Sequence, residues 1–567
     1  MAERSVVVGE TVVAPTDIEG VISDELKDDT PGVSGEVMLV NTDSFDECNH
    51  DLDTQKVTPG EGGEADEVVG PQSPIRKVQR EQDNDLVGNM GDMTVEDVVC
   101  KVEAENVPVI PQHNDDDDED EDDVDEEYLQ SVDWLQKEKH IFILSESGKP
   151  IYTRYGKEDR LVTLFGLMQA LVSFVADSDD VIRCIVSGDH KFVFLVKSPL
   201  ILVAVSHSMA SIPQLFMQLT YVHNQIISVL TASALTRMFE KRRNYDFRHL
   251  LGGTERLLDN LLNMLDYHPS FLLGGVQCLP LATSIRETIT QTIIQYCSKI
   301  KNLVFGLIIC QNQLISLVRM KKFLLHPADL HLLFNLVNAT ESLKTSENWM
   351  PICLPKFDPN GYLYGHVSYL ADDCEACLLL LSVDREQFFT LSEAKQKIVD
   401  RLRRHHCLEG INTAIRSSAY TVKAVGAPEL RHFLYKSKTT AQFTCPQFTP
   451  PYESDEEQRR VFGLYQLLHH RVHSAARPLK MIYLVMDTHT LLGWVTKDFE
   501  LYAALEPLVT KQNAIVYINK LLRWIKNDEN RLDFSTSSGC EVMVPKANLQ
   551  PGLPYTNTEA AKGNGAV

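Results

Sequence analysis

The chain has 567 residues, 44% of them hydrophobic, and a formal charge of −25. The charge is unevenly placed: residues 1–136 hold 39 acidic and 7 basic side chains, a balance of −32, while the rest of the chain balances at +7. That split leaves no basic footprint for nucleic acid, and the 12 cysteines follow no regular spacing of the kind that marks a disulfide-built secreted protein.

Residues 1–136 carry only Phe45, Tyr128 and Trp134 as aromatics. Their acidic peak, Asp115–Glu127, has Val124 as its one uncharged residue. Such a block repels itself and cannot bury a core, so this segment reads as a disordered acidic arm. It has a regulatory reading, as a cover for basic patches on the body, and a plainer one, as a solubilising spacer. The start, MAERSVVVGE, does not resemble a signal peptide. The longest apolar candidate, Phe192–Val205, is broken by Lys197, Ser198 and Pro199, so no run approaches the ~18 apolar residues of a membrane-spanning helix. A cytoplasmic protein is expected. Residues 137–535 have globular composition, enough for about three domains, and 536–567 read as a flexible tail.

One pattern recurs three times along that body. In the first copy, β-type runs His140–Ser145 and Ile151–Tyr155 flank the turn ESGKP. An amphipathic helix, Glu158–Ala176, follows, with Leu161, Leu164, Phe165, Met168, Leu171, Val172 and Val175 at helical spacing. That stripe is expected to be core, leaving the polar face for a partner. Three strands come next, Ile182–Ser187, Phe192–Val196 and Leu200–Ser206, and then one long helix, Ile212–Arg242. Two connecting helices, Thr254–Tyr267 with a cap-like TERL start and Pro280–Tyr296, lead to the second copy.

The second copy has hairpin strands Leu303–Ile309 and Leu314–Arg319 and a helix Pro327–Leu343. Its strands Pro351–Lys356, Tyr362–Tyr369 and Ala376–Val383 precede a helix Arg385–His405, and DPNG, Asp358–Gly361, marks the turn between the first two. The third copy has strands His432–Tyr435 and Gln442–Thr444, then a helix Asp455–His473. Strands Lys480–Met486, Leu491–Val495 and Glu500–Leu505 and the helix Lys511–Lys526 complete it. The order ββαβββα three times over predicts an α+β type of α/β fold, three tandem domains each with an antiparallel sheet flanked by helices, in an order that resembles that of longin or roadblock-like domains. The divisions are 137–252, 253–300 for the connecting helices, 301–408 and 409–535.

No enzyme signature is present: there is no GxxxxGK[ST], HExxH or GxSxG. Cys374 and Cys377 have CxxC spacing and Cys407 follows two histidines, but a closed zinc site needs two such halves, so buried or turn cysteines are expected. His469, His470 and His473 share a helix without a partner carboxylate motif and read as a packed or solvated face. No metal and no cofactor is expected. Trp349 falls in the polar loop KTSENWMP, where an aromatic reads either as a binding anchor or as a ring folded back onto the domain. Basic clusters occur at Lys241, Arg242 and Arg243, at Arg319, Lys321 and Lys322, and at Arg401, Arg403 and Arg404. Near an anionic membrane each such charge is worth ~1 kcal/mol; at a helix C-terminus each also suits the dipole.

Several long strings carry a resemblance. KHIFILSESGKPIYTRYG (Lys139–Gly156), HPADLHLLFNLVNA (His326–Ala339), LPKFDPNGYLYGHVSYL (Leu354–Leu370), ELRHFLYKSK (Glu429–Lys438) and RPLKMIYLV (Arg477–Val485) resemble the Mon (monensin-sensitivity) vacuolar-fusion proteins, also called SAND proteins. The resemblance spans about residues 137–535. It implies three longin domains and a complex with a Ccz-type triple-longin subunit, joined in animals by a third subunit. It further implies guanine-nucleotide exchange on the late-endosomal Rab GTPase, with recruitment by the early-endosomal Rab and phosphatidylinositol 3-phosphate. The expected roles are endosome conversion, lysosome or vacuole fusion and autophagosome maturation, peripherally on endosomal and lysosomal membranes. The activity is not covalent catalysis: an exchange factor works by preferring the nucleotide-free GTPase. The resemblance places the GTPase platform on residues 139–207, with Glu158, Asp159, Arg160, Thr163 and Gln169 as candidates, and it favours Trp349 as an anchor for a Rab, the arm or another subunit. The alternative is a non-catalytic trafficking adaptor or tether built from longin domains.

Overall fold

The computed structural model describes residues 132–527 except 244, 320–322 and 418–419. The acidic arm as far as residue 131, Lys321, Lys322 and the tail from 528 lie outside the described residues. Trp134, expected in the arm, belongs to the first module: its indole donates to Tyr155 O at 3.3 Å and its ring lies 4.1 Å from that of His140.

The first module opens with strands β1 (Lys139–Ser145) and β2 (Pro150–Thr153). A 3-10 turn, Glu158–Leu161, leads into helix α1 (Val162–Ala176). Strands β3 (Cys184–Ser187), β4 (His190–Lys197) and β5 (Leu200–Ser206) follow, then helices α2 (Ile212–Leu230) and α3 (Ala232–Lys241). The sheet order is β2-β1-β5-β4-β3, all antiparallel. Strand β1 is buried along its whole length because both faces are covered. Phe142 and Leu144 face α1, and Ile141 and Ile143 face α2. That double burial explains why its sequence is a continuous apolar run rather than an alternation.

The single helix expected over Ile212–Arg242 is two. Thr231, at φ 60°, ends α2, and its hydroxyl accepts from Ala234 N at 3.3 Å to start α3. A positive φ is costly for a β-branched residue. The joint is held from outside, where Tyr362 Oη donates to Val229 O at 2.9 Å and Ser233 Oγ to Asn360 O at 3.2 Å.

The connecting region holds helix α4 (Glu255–Tyr267), a short helix Pro269–Leu273, strand β6 (Val276–Cys278) and helix α5 (Thr283–Cys297). The TERL start is not a side-chain cap, since Thr254 Oγ1 donates backward to Leu251 O at 2.6 Å.

The second module comprises β7 (Leu303–Cys310), β8 (Gln313–Arg319), α6 (Pro327–Ala339), β9 (Asn348–Leu354), β10 (Asp358–Ala371), β11 (Cys374–Ser382), α7 (Phe388–Arg404) and α8 (Cys407–Ser417). The third comprises β12 (Leu430–Ser437), β13 (Gln442–Thr444), α9 (Asp455–Val472), β14 (Met481–Val485), β15 (Thr490–Val495), β16 (Phe499–Leu505) and α10 (Lys511–Asn527). Both repeat the strand order of the first module, as β8-β7-β11-β10-β9 and β13-β12-β16-β15-β14. The threefold longin architecture is therefore present. Beyond it, β6 pairs in parallel with both β8 and β13 and joins two of the sheets into one of 11 strands. The sequence reading held only helices in this region.

One further expectation changes. DPNG is not the β9–β10 turn: the chain reverses over residues 355–357, and Asp358 already pairs with Leu354 before the next pair, Leu363 with Ile352. The motif is a bulge closed by Asn360 N donating to Asp358 Oδ1 at 3.0 Å, and it is the part that presses on the α2–α3 joint. The CxxC cysteines lie on β11, both buried, and burial pushes the Cys377 thiol up to about 12 and Cys374 upward, so both are protonated, inert core thiols at neutral pH.

Candidate functional site

Helix α1 has apolar side chains on its outer face as well as its inner one. Its inner stripe packs Leu161, Phe165 and Met168 against Phe142, Leu144, Phe194, Ile201 and Val203 of the sheet. Its outer face is open: Val162 is 53% exposed, Leu167 58% and Phe174 75%. Only two of its 15 residues are buried. The expectation that the apolar stripe is core holds for the inner residues. The expectation that only a polar face remains for a partner is incomplete: Thr163 and Ser173 are exposed, and so are the apolar Val162, Leu167 and Phe174. The stretch Glu158–Ala176 is in fact long and apolar enough to cross a membrane by length and composition, contrary to the sequence reading. It lies instead along the sheet, fixed by Phe165 and Met168.

Between Leu167 and Val162 the outer face carries Thr163, Gly166, Ala170 and Ser173, all small and all exposed. A Cβ on Gly166 would meet no atom within 4 Å. Val181, after the helix, is also exposed, whereas Val186 of strand β3, 58% exposed, lies on the other sheet face, since Ile185 is the residue of β3 that packs with α1. Strand β3 pairs only with β4, so its outer edge is unpaired within the sheet. Exposed Asp177, Asp179 and Asp180 rim the C-terminal end of the patch, while before the helix Glu158 and Asp159 lie between Lys157 and Arg160.

The corresponding helix of the second module has a different environment. Ten of the 13 residues of α6 are buried. Helices α2 and α4 cover it, and the contact is specific. His331 sits between Tyr221 Oη at 3.0 Å and Gly275 O at 2.8 Å, and burial pulls its pKa down to about 3. Asn335 donates to Gln225 Oε1 at 2.7 Å and to Leu257 O at 2.8 Å, and accepts from Asn260 at 2.7 Å. One module thus supplies the cover for the next, whereas α1 has no cover among the described residues.

The platform candidates lie around this patch. Thr163 is on the open face. Gln169, at the rim, bonds Ser173 Oγ at 3.0 Å and Glu146 O at 3.4 Å. Glu158 accepts from Thr153 N at 3.2 Å, and Asp159 pairs with Arg248 at 2.8 Å. Arg160 is half-buried in the same turn. The sequence search for polar contacts overlooked Val162, Leu167 and Phe174, which dominate the surface.

Trp349 is not in a loop. It stands on β9, half-buried, with its indole donating to Arg385 O at 3.1 Å. Its ring stacks on Tyr364 at 6.0 Å and meets Phe388 edge-on at 6.1 Å, and the neighbouring Phe389 is 81% exposed. Beside them Glu347 accepts from Ser392, Lys395 and His366. Partial burial opposes its charge, but these bonds prevail and hold its pKa down to about 2.

The basic clusters sit on separate elements. Lys241, Arg242 and Arg243 are exposed at the end of α3, and Arg319 ends β8, donating to Phe323 O at 3.1 Å. On α7, Arg401 bonds Gln295 Oε1 and Arg404 bonds Asp400 O at 3.1 Å, while Arg403 is exposed. The three histidines of α9 divide: His470 is exposed, while His469 and His473 face Glu500 of β16, a carboxylate that helical spacing alone did not reveal.

Comparison with known proteins follows the same threefold division. Residues 139–261, 301–400 and 429–529 match the family models described as the first, second and third longin domains of FUZ, MON1 and HPS1, together more than half of the chain. The chain is 47% identical over 399 residues to vacuolar fusion protein MON1 homolog A of Bos taurus, covering 70% of this chain and 72% of that protein. It is 46% identical over 407 residues to protein SAND of Takifugu rubripes, covering 72% and 78%. It is 42% identical over 453 residues to MON1 homolog B of Mus musculus, covering 76% and 79%. With three longin modules in the same order and identity maintained across them, the chain belongs to the MON1/SAND family of triple-longin vacuolar fusion proteins.

Proposed function

We propose that this chain is a membrane-trafficking protein that works as one subunit of a heteromeric guanine-nucleotide exchange factor for the late-endosomal and lysosomal Rab GTPase. The observation that carries the proposal is the open outer face of α1, set beside the covered α6. Exposed apolar side chains around a line of small ones suit close approach by another packed layer. The occupant is a Ccz-type triple-longin subunit, whose first module would cover α1 as α2 and α4 cover α6. Asp177, Asp179 and Asp180 after the helix favour a partner with basic groups at that end. The joint surface of the two modules then grips the GTPase, near Glu158, Asp159, Arg160, Thr163 and Gln169. No covalent chemistry is needed: binding the nucleotide-free GTPase more tightly than the loaded one releases GDP.

The remaining expectations belong to the same proposal. Trp349, with Tyr364 and exposed Phe389, offers an aromatic contact on an edge strand for the recruiting early-endosomal Rab or a third subunit. Lys241, Arg242, Arg243, Arg403 and Arg404 offer cations to phosphatidylinositol 3-phosphate membranes. The processes served would be endosome conversion, lysosome fusion and autophagosome maturation.

The test is release of labelled GDP from the late-endosomal Rab by the chain alone, by the co-purified pair, and by a pair carrying Leu167→Asp and Phe174→Asp. The pair should accelerate release, the single chain should not, and the double variant should fail to co-purify. A pair that assembles but leaves GDP release at its basal rate would favour a tether or adaptor instead.

A further inference from the structure

The last turn of α9 and strand β16 bring together donor groups that no part of the exchange proposal uses. His469 and His473 stand one helical turn apart with ring centroids 4.4 Å from each other. Beneath them Glu500 is 6% exposed. Its two oxygens are differently engaged: Oε1 lies 3.5 Å from Lys438 Nζ, and Oε2 lies 3.4 Å from His473 Nε2. Tyr502 Oη completes a triangle, 3.2 Å from His473 Nε2 and 3.3 Å from Glu500 Oε2. The ligand atoms of His469, His473 and Glu500 all lie within 4.8 Å of one another.

A tetrahedral ion with metal–ligand bonds of ~2.0–2.2 Å holds its donors roughly 3.3–3.6 Å apart. The His473–Glu500 separation already has that value, and the ligand atom of His469 lies within 4.8 Å of both. We propose that His469, His473 and Glu500 bind one divalent transition-metal ion of the zinc class, with the fourth position open towards solvent beside the exposed His473. Two imidazoles and one carboxylate favour such an ion over calcium or magnesium, which take oxygen donors.

The surrounding charges set the strength of the site. Lys438 donates to Thr496 O at 2.8 Å and occupies the Oε1 side of Glu500, leaving Oε2 for the ion. Lys436, facing Glu500 across the β12–β16 pair, donates to Leu273 O. Two cations this close weaken the site relative to a closed structural zinc centre, so micromolar affinity is expected. The ion would pin the end of α9 to the sheet. Because Gln214 of α2 donates to Gln466 O of α9 at 2.9 Å, that pin would also steady the seat of the first module on the third.

The test uses the full chain, stripped of metal and titrated with Co2+ and then Zn2+. The wild type and His470→Ala should take up one Co2+ with the visible absorption of a four-coordinate ion, and one equivalent of Zn2+ should displace it. His473→Ala, at an exposed helix end, and Glu500→Gln should each bind at least tenfold more weakly. Zn2+ should raise the melting temperature of the wild type and leave that of His473→Ala unchanged. A wild-type chain with no four-coordinate Co2+ spectrum, or a His473→Ala chain that binds as tightly as the wild type, would overturn the proposal.

Discussion

Gly166 stands at the centre of the open face of α1, and a Cβ there has free space around it. Glycine inside a helix costs roughly 0.5–1 kcal/mol relative to alanine. Gly166→Leu is therefore expected to raise the stability of the isolated chain by up to ~1 kcal/mol, because leucine is a good helix former and nothing obstructs it. The same side chain blocks close approach by a partner, so affinity for the Ccz-type subunit should fall at least tenfold. Thermal melting and a binding titration on one preparation check both signs. Phe165, on the inner face, provides the contrast. It is fully buried against Phe142, with ring centroids 5.7 Å apart, and Phe165→Ala should cost ~3–5 kcal/mol and destabilise the first module before any effect on binding is measured. A stabilised chain that still binds its partner normally would show that the α1 face is not the interface.

At the scale of elements, strand β6 joins the sheets of the second and third modules. Strand β6 bonds across to β13 through Val276 N to Ala441 O at 2.9 Å, and the residue following its end bonds to β8 through Leu279 N to Leu314 O at 2.9 Å. Val276→Pro removes the first of these donors at a buried position inside a sheet. The expected result is separation of one cooperative melting transition into two, with new proteolytic cleavage in the segment before α5. A single transition at an unchanged temperature would mean that the helical contacts alone couple the modules. The sequence could not reveal this joint, since VQC is too short to have a period and its partners belong to two different modules. The modules themselves were legible because each repeats the same strand–helix order with its own buried runs. The inner side of α1 was legible for the same reason, as Leu161, Phe165 and Met168 recur at helical spacing. Its open side was not, because Val162, Leu167 and Phe174 are apolar and do not mark exposure, and whether a face is covered depends on helices far away in sequence. The Glu500 contact escaped for a related reason: helical spacing reports partners on one helix and is silent about the strand beneath.

Across the whole molecule, buried histidines make the body sensitive to mild acid. Burial pulls His140, His223, His268 and His326 down to about 4, and His331 and His432 to about 3. His432 is held neutral between Tyr465 Oη at 2.9 Å and Pro446 O at 3.2 Å, as His331 is between Tyr221 and Gly275. Each group binds a proton near pH 6.5 when the chain is unfolded and only near 3–4 when it is folded. Between those values the unfolded chain holds more protons, so stability falls as the pH is lowered from about 7 towards 4. Asp329 opposes this. Burial raises its carboxyl to about 7, so the folded chain is the better proton acceptor there and acid favours it. The lowered histidines outnumber this one raised carboxyl, and the net direction is loss of stability. The melting midpoint at fixed scan rate is expected to drop by on the order of 10 °C from pH 7 to pH 5. His331→Gln, which keeps an amide donor and acceptor between Tyr221 and Gly275 but cannot be protonated, should recover part of that drop. A midpoint that stays level across the interval would mean that the histidines are hydrated in the folded chain. The α2–α6 contact around His331 would then be looser than its hydrogen bonds imply, and α6 could no longer serve as the covered counterpart against which the open face of α1 is read.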